Sequence, residues 1–247
     1  MQNLVKPTVT PNSAVTCCVS LNIPGVDELF PGFLLGDFAV LYGSPSVTAL
    51  TSLLCVRAQL PPQLGGLGSN VIFVEGGNTF RLYNIARLAQ LHELNPTEVL
   101  GKIFISRAFT AYQLTALIME KLEETVKTYN SKVVILSDLA GFFLDTDIAA
   151  EEAQRIYSQI TTYLSNFARK HQIIVIATYL PCENSKRSSL LQEMTFHRAS
   201  TVLCFTKTKY TKQVALQKHP FYTLGTVESS TKNQPRPLTD FLGDCSG

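Results

Sequence analysis

Seven short strand-like runs, most of them rich in β-branched and aromatic residues, punctuate this chain, and their composition leaves few folds open. They are Phe38–Tyr42, Val71–Glu75, Ile103–Arg107, Val133–Ser137, Ile173–Thr178, Thr201–Thr206 and Gln213–Gln217. Four of the first five are unbroken, without the alternation of a strand that has one wet face, so they read as strands covered on both sides. The segments between them carry helical period. Leu114, Leu117, Ile118, Leu122 and Val126 fall on one face, and so do Ala149, Ala153, Ile156, Tyr157, Ile160, Leu164 and Phe167. Strands alternating with helices predict an α/β fold with a mainly parallel central sheet flanked by helices. The last two runs form an antiparallel hairpin near the C-terminus.

Local punctuation agrees with this parse. Asn95-Pro96-Thr97-Glu98 offers an N-cap, a proline at the first helical position and an early acid, opening a short helix that stops at Gly101. Pro61 to Gly66 separates the first helix from the second strand. The organisation expected is an N-terminal extension over 1–19, a core over 20–228 and a loose tail over 229–247. With 45% hydrophobic residues in 247, one sizeable core can be buried. Charged residues make up 16% and the net charge is +2, so a broad basic surface is excluded and any nucleic-acid contact must be local. No stretch has the composition of a signal peptide or of a membrane span. The six cysteines, Cys17, Cys18, Cys55, Cys182, Cys204 and Cys245, show no C-x-x-C spacing. Cys55 and Cys204 read as small core residues, and the chain as cytoplasmic, or nuclear if eukaryotic. His92, His171, His197 and His219 show no metal-ligand pairing.

The first strand runs into Gly43-Ser44-Pro45-Ser46-Val47-Thr48-Ala49-Leu50. A phosphate-binding loop in that place reads G-x-x-x-x-G-K-[ST]: glycines let N–H groups converge on the phosphates, the lysine neutralises them and the hydroxyl holds magnesium. Counted from Gly43, the second glycine is Thr48, the lysine Ala49 and the hydroxyl residue Leu50. Only the first glycine remains.

The order of elements resembles the core of the RecA/RadA recombinase and KaiC superfamily of P-loop ATPases. Ser20 to Gly32 is similar to the turn that leads into the P-loop strand of that family. Asn78-Thr79-Phe80-Arg81 resembles its E-G-T-F-R element, and Ile103-Phe104-Ile105-Ser106-Arg107-Ala108-Phe109 its I-x-x-A-R-A-F strand. The likeness spans residues 20 to 228. It implies a RecA-like core, with Arg81 and Arg107 supporting subunit contacts or the sheet end.

The departures fall on chemistry. The glutamate that polarises the attacking water in RadA-like enzymes aligns with Gly77, and Glu75 replaces it only if the loop is rebuilt. The Walker B aspartate aligns with Ser137; Asp138 follows, and a shift of one residue turns a side chain to the other face of a strand. Phosphoryl transfer rests on positioned charge, so the expectation is a pseudo-ATPase without catalytic residues, without ATP or magnesium as cofactor and without a metal site. The rival reading keeps a weak DNA-dependent ATPase with Glu75 and Asp138 as displaced acids.

In recombinases two loops at strand ends carry DNA. The second would run here from Leu180 to about Arg198, bringing Lys186, Arg187 and Arg198 as candidate phosphate ligands. Lys207 and Lys209, with Lys212 and Lys218 around Tyr210, form a second cationic group, which also suits an edge hairpin protected against aggregation. The first loop, Gly141 to Asp147, carries acids that repel phosphate. Active relatives polymerise through an aromatic-x-x-alanine tether; Phe196-His197-Arg198-Ala199 has those letters but lies inside the core. The expected partner is therefore a RecA/RadA-type recombinase or related paralogue in a dimer or hetero-oligomer, with weak single-stranded DNA binding. A KaiC-like regulatory module without DNA is the alternative. No membrane contact is expected.

Overall fold

The computed structural model describes residues 18–182, 185–208 and 211–230. A two-stranded ribbon, β1 (Cys18–Val19) against β2 (Phe33–Leu34), encloses the single turn α1 (Val26–Leu29). There follow β3 (Phe38–Gly43), α2 (Val47–Arg57), β4 (Asn70–Glu75), α3 (Leu82–Leu91), α4 (Pro96–Gly101), β5 (Ile103–Arg107) and α5 (Ala111–Ala116). A π turn, Leu117–Lys121, joins α5 to α6 (Leu122–Thr128). Then come β6 (Ser131–Ser137), α7 (Ala150–His171), β7 (Ile174–Tyr179), α8 (Lys186–Arg198), β8 (Thr201–Lys207), β9 (Thr211–Lys218) and β10 (Gly225–Ser230).

Eight strands form one sheet in the order β10-β9-β8-β3-β7-β6-β4-β5. From β8 to β5 neighbouring strands are parallel, while β9 and β10 add antiparallel strands at one side. Helices cover both faces. Val40, Ile72, Val74, Val134, Leu136, Val175 and Ala177 pack beneath α5 to α8. Leu41, Val71, Phe73, Val133, Ile135, Ile174 and Ile176 pack beneath α1 to α4. Because alternate residues of one strand feed opposite layers, every position of a central strand must be apolar. Each fully buried Val, Leu, Ile or Phe contributes about 1.5–3 kcal/mol.

The helix signals act as read. The Asn95 side chain accepts the Thr97 N–H, and α4 ends at Gly101. α7 opens on Glu151 and Glu152 and closes on Arg169, Lys170 and His171, matching acids and bases to its dipole. Gln172 then takes a left-handed conformation (φ 52°) and stops the helix.

Two expectations change. Most of the segment expected as a loop from Leu180 to Arg198 is helical: Lys186–Arg198 is α8. Its cap is the Ser185 hydroxyl, which accepts the Ser188 N–H at 3.1 Å. Its inner face docks through hydroxyls: Thr195 meets the buried Tyr157 hydroxyl at 2.7 Å, and the Tyr179 hydroxyl donates to Ser188 O at 2.5 Å. The expected C-terminal antiparallel hairpin is β8 with β9, and β10 extends it to a three-strand meander by pairing along β9. Strand therefore continues to Ser230, two residues into the expected tail, and 231–247 lie outside the described residues. Cys55 is buried as expected, whereas Cys204 is half-buried; Cys17 and Cys245 lie outside the described residues. Among the described residues no helix is long and apolar enough to cross a membrane, and no group of His, Cys, Asp and Glu is placed to hold a metal.

Candidate functional site

Because β3 to β8 are parallel, their C-terminal ends share one rim of the sheet. This rim is where open α/β sheets bind ligands, and it carries Gly43, Glu75, Arg107, Ser137, Tyr179 and Lys207.

At the centre of the rim, only Ser44, Pro45 and Ser46 separate β3 from α2. Gly43 has φ 108°, and a Cβ there would collide with the Phe205 carbonyl of β8. The Ser44 N–H donates to that same carbonyl at 2.6 Å. Val47 N–H donates to Ser44 O at 3.0 Å, Thr48 N–H to Pro45 O at 3.1 Å and Ala49 N–H to Ser46 O at 3.1 Å. The Ser46 N–H turns to the Ser44 hydroxyl at 3.4 Å, and Pro45 has no N–H. Thr48 Oγ1 donates to Pro45 O at 2.8 Å, and the Leu50 side chain is buried among α2 and the sheet. Of the five residues singled out here, Gly43 and Ser44 belong to the tight turn and Thr48, Ala49 and Leu50 to the start of α2, and each backbone donor from Ser44 to Ala49 has an acceptor within the chain.

Glu75 ends β4 and is 1% exposed. One carboxylate oxygen accepts the N–H groups of Thr79 and Phe80, the latter at 3.0 Å, together with the Thr79 hydroxyl at 3.4 Å. The other accepts from the Arg107 guanidinium at 3.2 Å. Glu75 is therefore the clamp of the loop that carries Thr79-Phe80-Arg81. Ser137 accepts the Gly76 N–H with both its hydroxyl and its carbonyl, at 3.2 and 3.1 Å.

Asp138 follows β6 with φ 51°, and its N–H donates to the Thr178 hydroxyl at 2.8 Å. Its carboxylate lies against the backbone of Gly77 and Gly141: a Cβ on Gly77 would stand 3.1 Å from Oδ2. It faces the β4 loop, while β3 is two strands from β6 in the sheet. Burial raises the Asp138 pKa above its ordinary 3.8, partly offset by the Gly141 N–H. The folded chain then holds this proton more tightly than the unfolded chain, so the buried charge costs stability above the folded pKa. The cost disappears as the pH falls below 3.8. Asp138→Asn, which tolerates the left-handed backbone, should melt a few degrees higher than the parent at pH 7, with the two converging near pH 4. Scanning calorimetry across that range checks it; a lower melting point at pH 7 contradicts the assignment.

Among the described residues the cationic candidates are divided between α8 and β8. Lys186 and Arg198 are exposed at opposite ends of α8, about 18 Å apart at 1.5 Å per residue. Arg187 is no solvated loop charge: its Nη1 donates to Ile148 O at 3.1 Å, and Nε and Nη2 are buried without a partner. Lys207 is exposed and faces Lys212 across β8 and β9, while Lys209 lies outside the described residues. Lys218 is half-buried, donating to Phe196 O at 2.8 Å and His197 O at 3.0 Å, where it caps the C-terminal end of α8. Asp145 and Asp147 are exposed on the loop after β6.

One feature escaped the sequence reading. A cleft of about 520 Å³ opens beside the ends of β4 and β5, lined by Glu75, Gly77, Asn78, Arg107, Phe109 and Phe142 among others. Its signal was Arg107 at the end of β5 and Phe109 two residues beyond it, but their meeting with Phe142 depends on the fold.

A mainly parallel sheet sandwiched by helices, with a glycine turn between the central strand and its helix, defines a RecA-like core. The sequence profile of the Rad51 family matches residues 26–198, well over half of the chain, and the chain belongs to that family.

Proposed function

We propose that this protein is a non-catalytic member of the Rad51 family, a recombination or repair accessory that holds a recombinase or related paralogue and does not turn over ATP. The observation that carries this reading is the Gly43 turn. A phosphate cradle needs free N–H donors and a cation; here the donors from Ser44 to Ala49 are bonded within the chain, and alanine and leucine stand where the lysine and the hydroxyl would be. Glu75 is buried with its oxygens held by Thr79, Phe80 and Arg107, so a water has no open approach to it.

Partner binding has a surface available. β5 is an edge strand of the sheet, and Ile105, Phe109 and Tyr112 beside it are 45%, 70% and 56% exposed. An open edge flanked by large apolar side chains suits the addition of a partner's strand. The dispersal of Lys186, Arg187 and Arg198 favours a second reading in which protein partners are bound and DNA is not.

Isothermal titration separates these readings. With a non-hydrolysable ATP analogue and magnesium no binding is expected at micromolar concentrations, and micromolar affinity overturns the proposal. The same titration with single-stranded DNA gives at most weak, salt-sensitive heat under the first reading and none under the second.

A further inference from the structure

The cleft beside β4 and β5 is not the lost nucleotide site. It is three strands from the Gly43 turn, about 14 Å across the sheet. Its volume of about 520 Å³ is that of a small-molecule pocket.

Its chemistry is specific. Phe109 and Phe142 provide two phenyl walls, and Phe109 is 70% exposed. Glu75 is 1% exposed and so presents no open acceptor to the cleft, but it holds Arg107 by one Nη2 contact and offsets its charge. The rest of the guanidinium has no protein partner among the described residues. Nor does anything described accept the N–H groups of Gly77 and Asn78. The site therefore offers flat apolar walls and hydrogen-bond donors, with no net charge from its ion pair.

A neutral planar ring with adjacent acceptors on one edge satisfies these conditions. We propose that the cleft binds an unpaired guanine base, with the ring against Phe109 and Phe142 and O6 and N7 toward Arg107. Guanine presents two acceptors on that edge, whereas adenine presents one acceptor and one donor, and the donor would meet a donor. The base can come from a free nucleoside or from single-stranded DNA. The proposal is independent of the ATP question, because guanosine carries no phosphate and cannot report on the Gly43 turn or on the lysines.

The test titrates the full chain with guanosine, adenosine and thymidine by saturation-transfer NMR, and with a fluorescein-labelled oligothymidine with or without one central guanine. Saturable guanosine binding is expected, at least fivefold tighter than adenosine. It should weaken about tenfold in Phe109→Ala, an exposed position, and in Phe142→Leu, through loss of base stacking. Binding of both guanosine and the guanine oligomer, or a Phe109-dependent guanine preference in the oligomer alone, supports the site and identifies the source. No guanine preference in either ligand overturns it, as does binding unchanged by Phe109→Ala.

Discussion

Glu75→Gln should destabilise the protein by about 1–3 kcal/mol, the cost of leaving buried donors unpaired, because Arg107 is half exposed and water screens its charge. That is a fall in melting temperature of roughly 2–12 °C for a chain of this size. The side chain is 1% exposed and accepts from Thr79, Phe80 and Arg107. An amide of the same shape keeps one acceptor oxygen, but it turns an NH₂ group toward existing donors and leaves Arg107 without its counter-charge. Leaving buried donors unpaired costs more than the bonds contribute when made. The experiment distinguishes two roles for one residue. A carboxylate kept for catalysis is commonly a strained feature whose neutralisation stabilises the fold. A carboxylate kept as a clamp destabilises when neutralised. Thermal melts of parent and Glu75→Gln at pH 7 decide between them, and an unchanged or higher melting temperature would return Glu75 to the list of catalytic acids.

Gly43→Ala is expected to cost about 3 kcal/mol or more, the sum of left-handed backbone strain and a steric clash. The clash is with backbone: the new methyl would overlap the Phe205 carbonyl, which already accepts the Ser44 N–H. Phe205 has no freedom to retreat, since β8 is bound to β3 on one side and to β9 on the other. The alanine must therefore loosen β3 from β8 in the middle of the sheet. Gly68→Ala is the control. Gly68 also has positive φ, at 57°, but open space where its Cβ would stand, so only the conformational cost of about 1 kcal/mol applies. Urea denaturation of both variants measures the gap. Equal losses would mean that the close approach of β3 and β8 carries no strain and that the turn has room to reshape around a ligand.

The central strands were legible because burial on both faces leaves a continuous apolar run. Ile103–Arg107 is found with the expected bounds, and the other expected runs differ by at most two residues at either end. β10 was not legible. Its sequence, Gly-Thr-Val-Glu-Ser-Ser, has one apolar residue to pack and takes its pairing from β9. α8 escaped for a related reason: Ser188 and Thr195 join Leu191 on its buried side, so a hydroxyl-bonded face read as a polar loop. Lys218 was counted with the surface lysines, because nothing in its neighbourhood along the chain announces the end of α8.

The sequence by itself determined the parallel sheet and placed Thr48, Ala49 and Leu50 where a phosphate loop has glycine, lysine and a hydroxyl. Strand burial and residue identity are local properties, written in short windows of chain. The tertiary structure decided how the remaining polar groups are spent. Glu75 meets Arg107 across 32 positions, Lys218 meets Phe196 across 22, and the Ser44 N–H finds Phe205 on a different strand. Buried donors and acceptors must be paired, and which partners satisfy them depends on strand order, a property that the linear chain does not display.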